Sequence, residues 1–347
     1  MNASQTTPGG LERGERAPDF VLPAPDGTLT RFYGKAGGTP IALLFCSADA
    51  VAGLLDSCAA LDPDLIAVFA VLSNHPDPAW DFPFPVFADP DGKVRQAYRL
   101  QSEQQAALFI LDPNLRLLKN FDLQHHQGFA QAVSAILAAD LPPAPPRQIT
   151  TQAPVLLIPR VLDPEICRHL IQVWDEQGHE ETDVEQSHQG RRKDTLDHAD
   201  KRRRDHVVRD PELLRALSAT IARRILPEVQ RAFAFRATHF EGFKIACYDA
   251  ASQGFFRPHR DNLSPATAHR RFALSLNLNA DYKGGYLQFP EYGPNLYHPE
   301  PGGALIFSCS HIHAVTEVTQ GRRFALLSFL FGAENARPST AAEKKAP

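Results

Sequence analysis

A proline-rich segment divides the chain into two parts. Four of the five residues at positions 142–146 are proline. Proline has a fixed φ and no backbone N–H, so the helix predicted over residues 129–139 must end here, and a stiff extended spacer is favoured. A chain of 347 residues with a hydrophobic fraction of 43% can build two cores. The sequence thus predicts a first domain at residues 10–140, a linker at 141–150, a second domain at 151–335 and a disordered tail at 336–347.

The second part contains the residue types of a metal centre. His259 and Asp261 are separated by one residue, and His313 and Arg323 follow further along the chain. Side chains two positions apart on a strand project to the same side, so His259 and Asp261 can bind one ion while Arg260 faces away. Two histidines and one carboxylate leave coordination positions open, as is typical of non-haem Fe(II) oxygenases. No cysteines lie in a Cys-x-x-Cys spacing, so a closed structural zinc site is not predicted.

Short apolar stretches surround these residues. Residues 272–278 alternate between apolar and other side chains, and residues 286–289 and 304–307 form further apolar runs. Glycine- and proline-containing turns separate them at 281–285 and 301–303. This pattern predicts an antiparallel barrel or sandwich.

Residues 154–332 resemble the catalytic domain of the prolyl 4-hydroxylase-like branch of the Fe(II)- and 2-oxoglutarate-dependent dioxygenases. The similarity lies in Tyr248 and in four stretches that occur in the family's order and spacing, namely residues 255–262, 278–290, 301–307 and 313–323. The resemblance implies an α+β double-stranded β-helix, also called a jelly roll, with helices packed on one side.

The resemblance also implies roles for individual residues. His259, Asp261 and His313 match the iron ligands, and Arg323 matches the residue that binds the far carboxylate of 2-oxoglutarate. The planar guanidinium of arginine suits that task, although Arg323 alone could equally form an ordinary salt bridge. Tyr248 and Asn277 match positions that line the co-substrate pocket.

His311 is an alternative third ligand. It lies two residues before His313 and could face the same side of a continuous strand. The family's spacing to Arg323 favours His313.

The chemistry that the resemblance implies is hydroxylation. The expected cofactors are Fe(II) and 2-oxoglutarate, with O2 as oxidant and ascorbate as a further cofactor, and succinate and CO2 are released. Related halogenases have a small residue in place of the carboxylate, so Asp261 favours hydroxylation of an unactivated C–H bond. The expected substrate is a prolyl residue or another C–H donor in a peptide, protein or small molecule.

The first part of the chain predicts an α/β domain. Apolar runs at 41–45, 65–72 and 107–111 are separated by helix and turn signals, which indicates a mixed sheet. Three stretches, at residues 14–20, 84–92 and 108–113, resemble the peroxiredoxin family, which has a thioredoxin fold.

Peroxiredoxin chemistry is not expected from this domain. The positions that hold proline, threonine and the peroxidatic cysteine in that family are occupied by Ser47, Val51 and Leu54, and Ala106 stands near the place of a later proline. A reactive cysteine needs a stabilised thiolate, which leucine cannot supply. We therefore expect a degenerate module that serves as a scaffold, binds a partner or presents substrate.

Two other cysteines leave an alternative function open. Cys46 follows a predicted strand and Cys58 falls in a helix predicted over residues 51–61. Packing is the favoured role for both, but either could support a thiol-dependent peroxidase.

Two basic clusters, residues 191–193 and 201–204, lie between helices predicted over residues 164–176 and 211–235. They could form a lid over the iron pocket that prefers acidic partners, or a solvated loop balanced by neighbouring aspartates, which we favour. A nucleic-acid role is not predicted, because the net charge is −4 and no aromatic residues alternate with these cations.

The sequence also predicts a cytoplasmic protein without membrane contact. It has no apolar run of 18 residues, and its start lacks the apolar core of a signal peptide. Its five cysteines show no disulfide framework, which fits a reducing compartment.

Overall fold

The computed structural model describes residues 10–76, 80–101, 106–123, 128–142, 144–181, 184–188, 191–195 and 200–335. The chain divides into two units, residues 1–146 and 147–347. This division falls inside the segment predicted as a linker. The predicted disordered tail, 336–347, lies outside the described residues.

The N-terminal unit contains strands and short helices in alternation. Its strands are β1 (Val21–Pro23), β2 (Leu29–Arg31), β3 (Ile41–Cys46), β4 (Ala67–Leu72), β5 (Val86–Ala88), β6 (Ala107–Leu111) and β7 (Leu117–Asp122). Its helices are α1 (Ala48–Ala52), α2 (Leu55–Ala59), α3 (Lys93–Ala97) and α4 (Ala130–Asp140).

The main sheet of this unit is mixed and has the strand order β5-β4-β3-β6-β7. β3, β4 and β5 are parallel, whereas β6 and β7 are antiparallel to their neighbours. A mixed sheet with helical crossovers of this order is a thioredoxin-like fold, as predicted. β1 and β2 form a separate antiparallel hairpin.

The central strand β3 is buried on both faces. Ile41, Leu43 and Phe45 pack in one apolar cluster, and the alternate residues Ala42, Leu44 and Cys46 pack in another. Because side chains alternate across a strand, a continuous apolar run can fill two cores at once.

The prediction of a single helix over residues 51–61 is wrong in detail. The structure has two helices, Ala48–Ala52 and Leu55–Ala59, with Gly53 and Leu54 between them. Ser47 explains the earlier start, since its hydroxyl accepts a hydrogen bond from the Ala50 N–H at 3.2 Å and caps α1. Glycine at position 53 has a low helix propensity, which favours the break.

The C-terminal unit is built mainly from antiparallel strands. Its helices are α5 (Pro164–Glu176) and α6 (Pro211–Phe233). Its strands are β8 (Leu156–Ile158), β9 (Glu180–Glu181), β10 (Val184–His188), β11 (Arg191–Thr195), β12 (Lys201–Arg202), β13 (Arg204–Val207), β14 (His239–Phe240), β15 (Lys244–Asp249), β16 (Phe255–His259), β17 (Phe272–Asn277), β18 (Lys283–Gly284), β19 (Leu287–Gln288), β20 (Leu296–Tyr297), β21 (Ala304–Ser308), β22 (His313–Val315), β23 (Val318–Gln320) and β24 (Arg322–Phe331).

Two sheets form the body of this unit. The larger has the order β8-β21-β17-β24-β15-β13-β9, with β14 also paired to β24, and the smaller has the order β12-β16-β22-β19-β20. An apolar cluster contains residues of both sheets, among them Tyr248 and Phe307 from the larger and Leu287 and Val315 from the smaller. This is the predicted double-stranded β-helix.

The two helices pack against the larger sheet. Leu170 of α5 and Ile221 of α6 share a buried cluster with Ile245, Leu276 and Leu326 of the strands. Along β15, Ile245 belongs to this cluster whereas Ala246 and Tyr248 belong to the one between the sheets. The strand therefore separates a helix-covered face from a face that is free to carry the site.

Both helices begin at a predicted Asp-Pro pair. The Asp210 carboxylate accepts a hydrogen bond from the Leu213 N–H at 2.7 Å, whereas the Asp163 side chain makes no capping bond. α6 ends at Phe233, two residues earlier than predicted, because Ala234 adopts a left-handed conformation with φ of 51°.

The second basic cluster is not the solvated loop that we favoured from sequence. Lys201 and Arg202 pair with β16, and β13 pairs with β15. Arg203 forms two hydrogen bonds to Asp205, at 2.7 and 2.6 Å, and the Asp205 side chain is fully buried. The buried Asp205 carboxylate compensates the charge of Arg203, so this cluster can lie within the sheet.

Within the part of the chain that the structure describes, no helix combines the length and apolar character needed to cross a membrane.

We expect the helical layer to contribute much of this unit's stability. Ile221→Ala should lower the free energy of unfolding by about 2–5 kcal/mol, because it leaves a cavity in a fully buried cluster. Arg215→Ala on the exposed side of the same helix is the matched control and should change it by less than about 0.5 kcal/mol. Denaturant titration of both variants measures the difference. Equal stabilities would contradict the assigned packing.

Candidate active site

The pairing of β16 with β22 brings the two histidines together. His259 lies opposite His313 in this antiparallel pair, and the register is irregular between Phe256 and His259. The imidazole centroids are 4.2 Å apart. Asp261 follows the end of β16, and its backbone N–H donates to the Cys309 carbonyl at 3.0 Å.

Three potential ligand atoms converge at this point. The Nε2 atoms of His259 and His313 lie 3.5 and 3.3 Å from the two carboxylate oxygens of Asp261. One ligand atom from each of the three residues lies within 4.8 Å of the others. Such a set can hold one divalent ion and leaves its other side open.

Backbone contacts orient both imidazoles. Nδ1 of His259 lies 2.8 Å from the Arg257 carbonyl oxygen, and Nδ1 of His313 lies 3.1 Å from that of His311. A carbonyl oxygen only accepts, so each Nδ1 is the protonated nitrogen and each Nε2 has a free lone pair. This arrangement fixes the tautomer that a metal ligand requires.

The electrostatic environment favours the protonation states of a metal site. Burial opposes charge on Asp261, but the nearby His313, His259 and Arg270 hold the pKa of this carboxyl below its ordinary value. Burial lowers the pKa of His313, against the attraction of Asp261. An ionised carboxylate beside a neutral imidazole is the donor set that binds a divalent cation without releasing many protons.

His311 lies outside this cluster. Its Nδ1 is 3.2 Å from the Tyr292 hydroxyl and 3.9 Å from a Glu291 carboxylate oxygen. The sequence interpretation that placed His313 rather than His311 with His259 and Asp261 matches this geometry.

A cavity of about 710 Å³ opens beside the three residues. Phe256 stacks on His259 with ring centroids 3.5 Å apart, and the ring centroids of Phe307 and His313 are 4.6 Å apart. These aromatic rings shield the ligands from water on their flanks and leave the cavity side accessible.

Arg323 is a buried cation that lines the same cavity. Its side chain lies beside Gly285, where a Cβ would come within 2.9 Å of the Arg323 Cδ. Arg323 donates to the Ser275 hydroxyl at 3.3 Å, and its charge opposes the rise that burial causes in the pKa of the nearby Tyr282 hydroxyl. Both hydroxyls are neutral, and among the described residues Arg323 forms no ion pair. A buried guanidinium without a carboxylate is costly, so this position favours an anionic ligand.

Tyr248 and Asn277, both predicted to line the co-substrate pocket, differ in their position relative to the cavity. Tyr248 lines the cavity, the Arg323 guanidinium lies 5.3 Å from its ring centroid, and its hydroxyl accepts from Arg203 at 3.2 Å. Asn277 is fully buried and is not among the lining residues that the structure describes. Its amide donates to two backbone carbonyls and accepts from the Tyr282 hydroxyl. Asn277 thus touches the co-substrate region only through Tyr282.

Comparison with known proteins agrees with this geometry. Residues 243–331 match the family model of the 2OG-Fe(II) oxygenase superfamily. The C-terminal unit contains a 2OG-Fe(II) oxygenase domain. The match supports an oxygenase function for this unit and implies Fe(II) and 2-oxoglutarate, which the convergent His259, Asp261 and His313 suit. No curated protein matches the chain in sequence.

Solved structures are similar to parts of the chain. A prolyl hydroxylase from Trichoplax adhaerens, in complex with a hypoxia inducible factor peptide fragment, aligns over 53% of this chain and 86% of its own, with 16% identity and a TM-score of 0.44. A Pseudomonas putida prolyl-4-hydroxylase aligns over 52% and 93%, with 14% identity and a TM-score of 0.38. A putative protein disulfide isomerase from Bacteroides thetaiotaomicron aligns over 38% and 93%, with 18% identity and a TM-score of 0.32.

A network that supports the oxygenase site was not predicted from the sequence. The Glu241 carboxylate accepts from Arg270 at 2.7 and 2.9 Å, and Arg270 also donates to the Asp261 carbonyl at 3.4 Å. The Arg270 guanidinium lies 3.8 Å from the centroid of the Phe329 ring. This network holds the backbone of the ligand Asp261. Its members are far apart in sequence, and no spacing signal connects them.

The cysteines of the N-terminal unit are buried rather than poised for reaction. Burial raises the pKa of Cys46 to about 12, against the opposing attraction of Arg95, and raises that of Cys58 to about 11. Leu54, at the position of the family's peroxidatic cysteine, packs at the edge of the same apolar cluster as both thiols. The geometry therefore gives the thiol-peroxidase alternative no support.

These pKa values predict slow thiol modification in the folded protein. At pH 8 the thiolate fraction is on the order of one in a thousand for Cys58 and one in ten thousand for Cys46, and it rises with pH. Alkylation by iodoacetamide, followed by mass spectrometry of peptides containing each cysteine, should be at least about 100-fold slower than in denaturant. Rapid alkylation of either thiol in the native protein, together with peroxide consumption, would revive the alternative.

Proposed function

We propose that the C-terminal unit is an Fe(II)- and 2-oxoglutarate-dependent dioxygenase that hydroxylates an unactivated C–H bond. The observation that carries this proposal is the joint presence, in one cavity, of the convergent set His259, Asp261 and His313 and of the buried Arg323, which has no carboxylate partner among the described residues. In the overall reaction, one oxygen atom of O2 enters the substrate as an alcohol and the other enters succinate, while 2-oxoglutarate loses CO2.

Each residue of the site has a defined task in this proposal. His259, Asp261 and His313 would hold Fe(II), which supplies O2 activation when bound. Arg323 would bind the far carboxylate of 2-oxoglutarate, and Tyr248 and Tyr282 would flank it. Phe256 and Phe307 would exclude water from the ligands, and a dry cavity strengthens these charge interactions.

The substrate class and setting follow from the sequence resemblance. A prolyl residue of a peptide or protein is the proposed target, with ascorbate as a reductant that maintains the iron. The N-terminal unit would act as a scaffold or present the substrate. All five cysteines are free in the structure, and the cytoplasmic location predicted from their pattern stays a prediction.

Removal of the carboxylate ligand tests the metal site. Asp261→Ala should reduce iron-dependent succinate formation by at least about 100-fold, because even supporting residues around a metal cost 10–100-fold when lost. Binding of Fe(II) should weaken in parallel. Glu317→Ala, at an exposed carboxylate outside the cavity, is the control. Wild-type turnover by Asp261→Ala would refute the assigned centre.

Removal of the buried cation tests the co-substrate site. Arg323→Met should raise the KM for 2-oxoglutarate by at least about tenfold, because a charge-assisted hydrogen bond contributes about 1.5–3 kcal/mol. Anaerobic titration of the Fe(II) protein with 2-oxoglutarate, followed through the metal-to-ligand absorption band, measures the affinity directly. Arg322→Met is the matched control, since Arg322 pairs with Asp175 outside the cavity. An unchanged affinity in Arg323→Met would assign the far carboxylate to another residue.

A further inference from the structure

Among the charged side chains that line the active-site cavity, cations outnumber carboxylates. Two carboxylates, Asp261 and Glu241, face it. The cationic side chains of the lining are those of Lys201, Arg203, Lys244, Arg260, Arg270 and Arg323. The net charge of the whole chain is −4, so this excess belongs to the cavity and not to the protein as a whole.

The arginines of this lining other than Arg323 have acidic partners. Arg270 pairs with Glu241 at 2.7 Å, Arg203 with Asp205 at 2.6 Å, and Arg260 with Glu291 at 2.7 Å. Under the proposed function, Arg323 and Asp261 serve the co-substrate and the metal. A divalent iron and a doubly charged 2-oxoglutarate cancel each other, so the assembled centre does not neutralise the positive charge of Lys244.

Lys244 has no acidic partner within the described part of the chain. It is the first residue of β15, whose alternation places Lys244, Ala246 and Tyr248 on one face. Ala246 and Tyr248 are buried, whereas Lys244 is exposed. Lys244 lies about 13 Å along the strand from Tyr248, at roughly 3.3 Å per residue. It therefore marks a solvent-exposed part of the cavity, where a primary substrate can enter.

A second lysine lies beside the metal ligands. The Lys201 ammonium is 5.3 Å from the centroid of the Phe256 ring, and this ring stacks directly on His259. Lys244 adds positive charge at an exposed part of the same cavity, and a positive cleft concentrates anions.

The cavity also presents apolar surface beside these cations. Leu263 lines it and is 76% exposed, and Pro258 lines it next to His259. An exposed leucine at the mouth of a cavity is a contact site for an apolar part of a ligand.

We propose that the primary substrate of this site carries a carboxylate that Lys244 binds, next to an apolar group that contacts Leu263. The inference rests on the proposed function and specifies its substrate class. An acidic peptide and a small acid share this chemistry, and binding measurements separate the two sources.

The test uses the full chain loaded anaerobically with Fe(II) and 2-oxoglutarate. Three fluorescein-labelled decapeptides with alternating Glu-Pro, Gln-Pro or Lys-Pro serve as probes in fluorescence anisotropy, and N-acetylglutamate and N-acetylglutamine serve as small probes in calorimetry. Glutamate and glutamine have nearly the same shape, so their difference isolates charge. The Glu-Pro peptide, or N-acetylglutamate for a small-acid source, should bind about tenfold more tightly than its glutamine counterpart.

Variants assign the effect to a residue. Lys244→Met should remove the preference for glutamate, and Lys244→Glu should reverse it toward the Lys-Pro peptide. Lys283→Met, at an exposed lysine of the same unit outside the cavity lining, should retain it. Added salt should weaken glutamate binding selectively.

Several results would overturn the inference. These are equal affinities for the glutamate and glutamine probes, no binding of any probe, or a Lys244→Met variant that weakens 2-oxoglutarate binding and leaves probe binding intact. The metal-to-ligand absorption band is recorded on the same samples. Its presence without a charge preference overturns this inference alone, whereas its absence overturns the proposed function as well.

Discussion

The antiparallel pairing of β16 with β22 is the interaction on which the site depends. It sets His259 opposite His313, and side chains in opposed positions of two strands share a face. The register of this pair is irregular between Phe256 and His259, and such irregularities are common beside functional sites, where they reorient a side chain. Because both histidines are held by the backbone ladder and by hydrogen bonds to carbonyls, their positions do not rely on a flexible loop.

The buried charge of Arg323 imposes a second constraint. The protein supplies the Ser275 hydroxyl as an acceptor and places the Tyr282 hydroxyl nearby, and a glycine at position 285 leaves room for the aliphatic part of the side chain. Hydroxyl groups satisfy donors but do not neutralise charge. The cavity therefore favours an anionic ligand at this guanidinium, and the interaction that binds such a ligand would also stabilise the fold.

Local patterns in the sequence, together with the two family resemblances, predicted most of the fold and the grouping of His259, Asp261 and His313. The bounds of α5 were predicted to the residue, because Asp163 and Pro164 mark its start. The contacts of Arg270 with Glu241, of Arg323 with Tyr282 and of Arg203 with Asp205 were not predicted. These contacts join residues on different elements, or depend on whether a residue is buried, and neither property can be read from local sequence. A basic run with aspartates nearby has the same composition whether it is exposed to solvent or buried.

The N-terminal unit shows why fold and chemistry separate in this chain. Its central strand is buried on both faces, so packing against the two apolar clusters constrains the size and polarity of each of its side chains. At the positions where the peroxiredoxin resemblance would place reactive groups, Ser47 caps a helix and Leu54 packs against the core. Capping and packing retain the thioredoxin-like architecture without requiring a thiolate. Because its thiols are buried and protonated, the N-terminal unit is suited to binding through its surface. The groups suited to redox chemistry lie in the oxygenase domain.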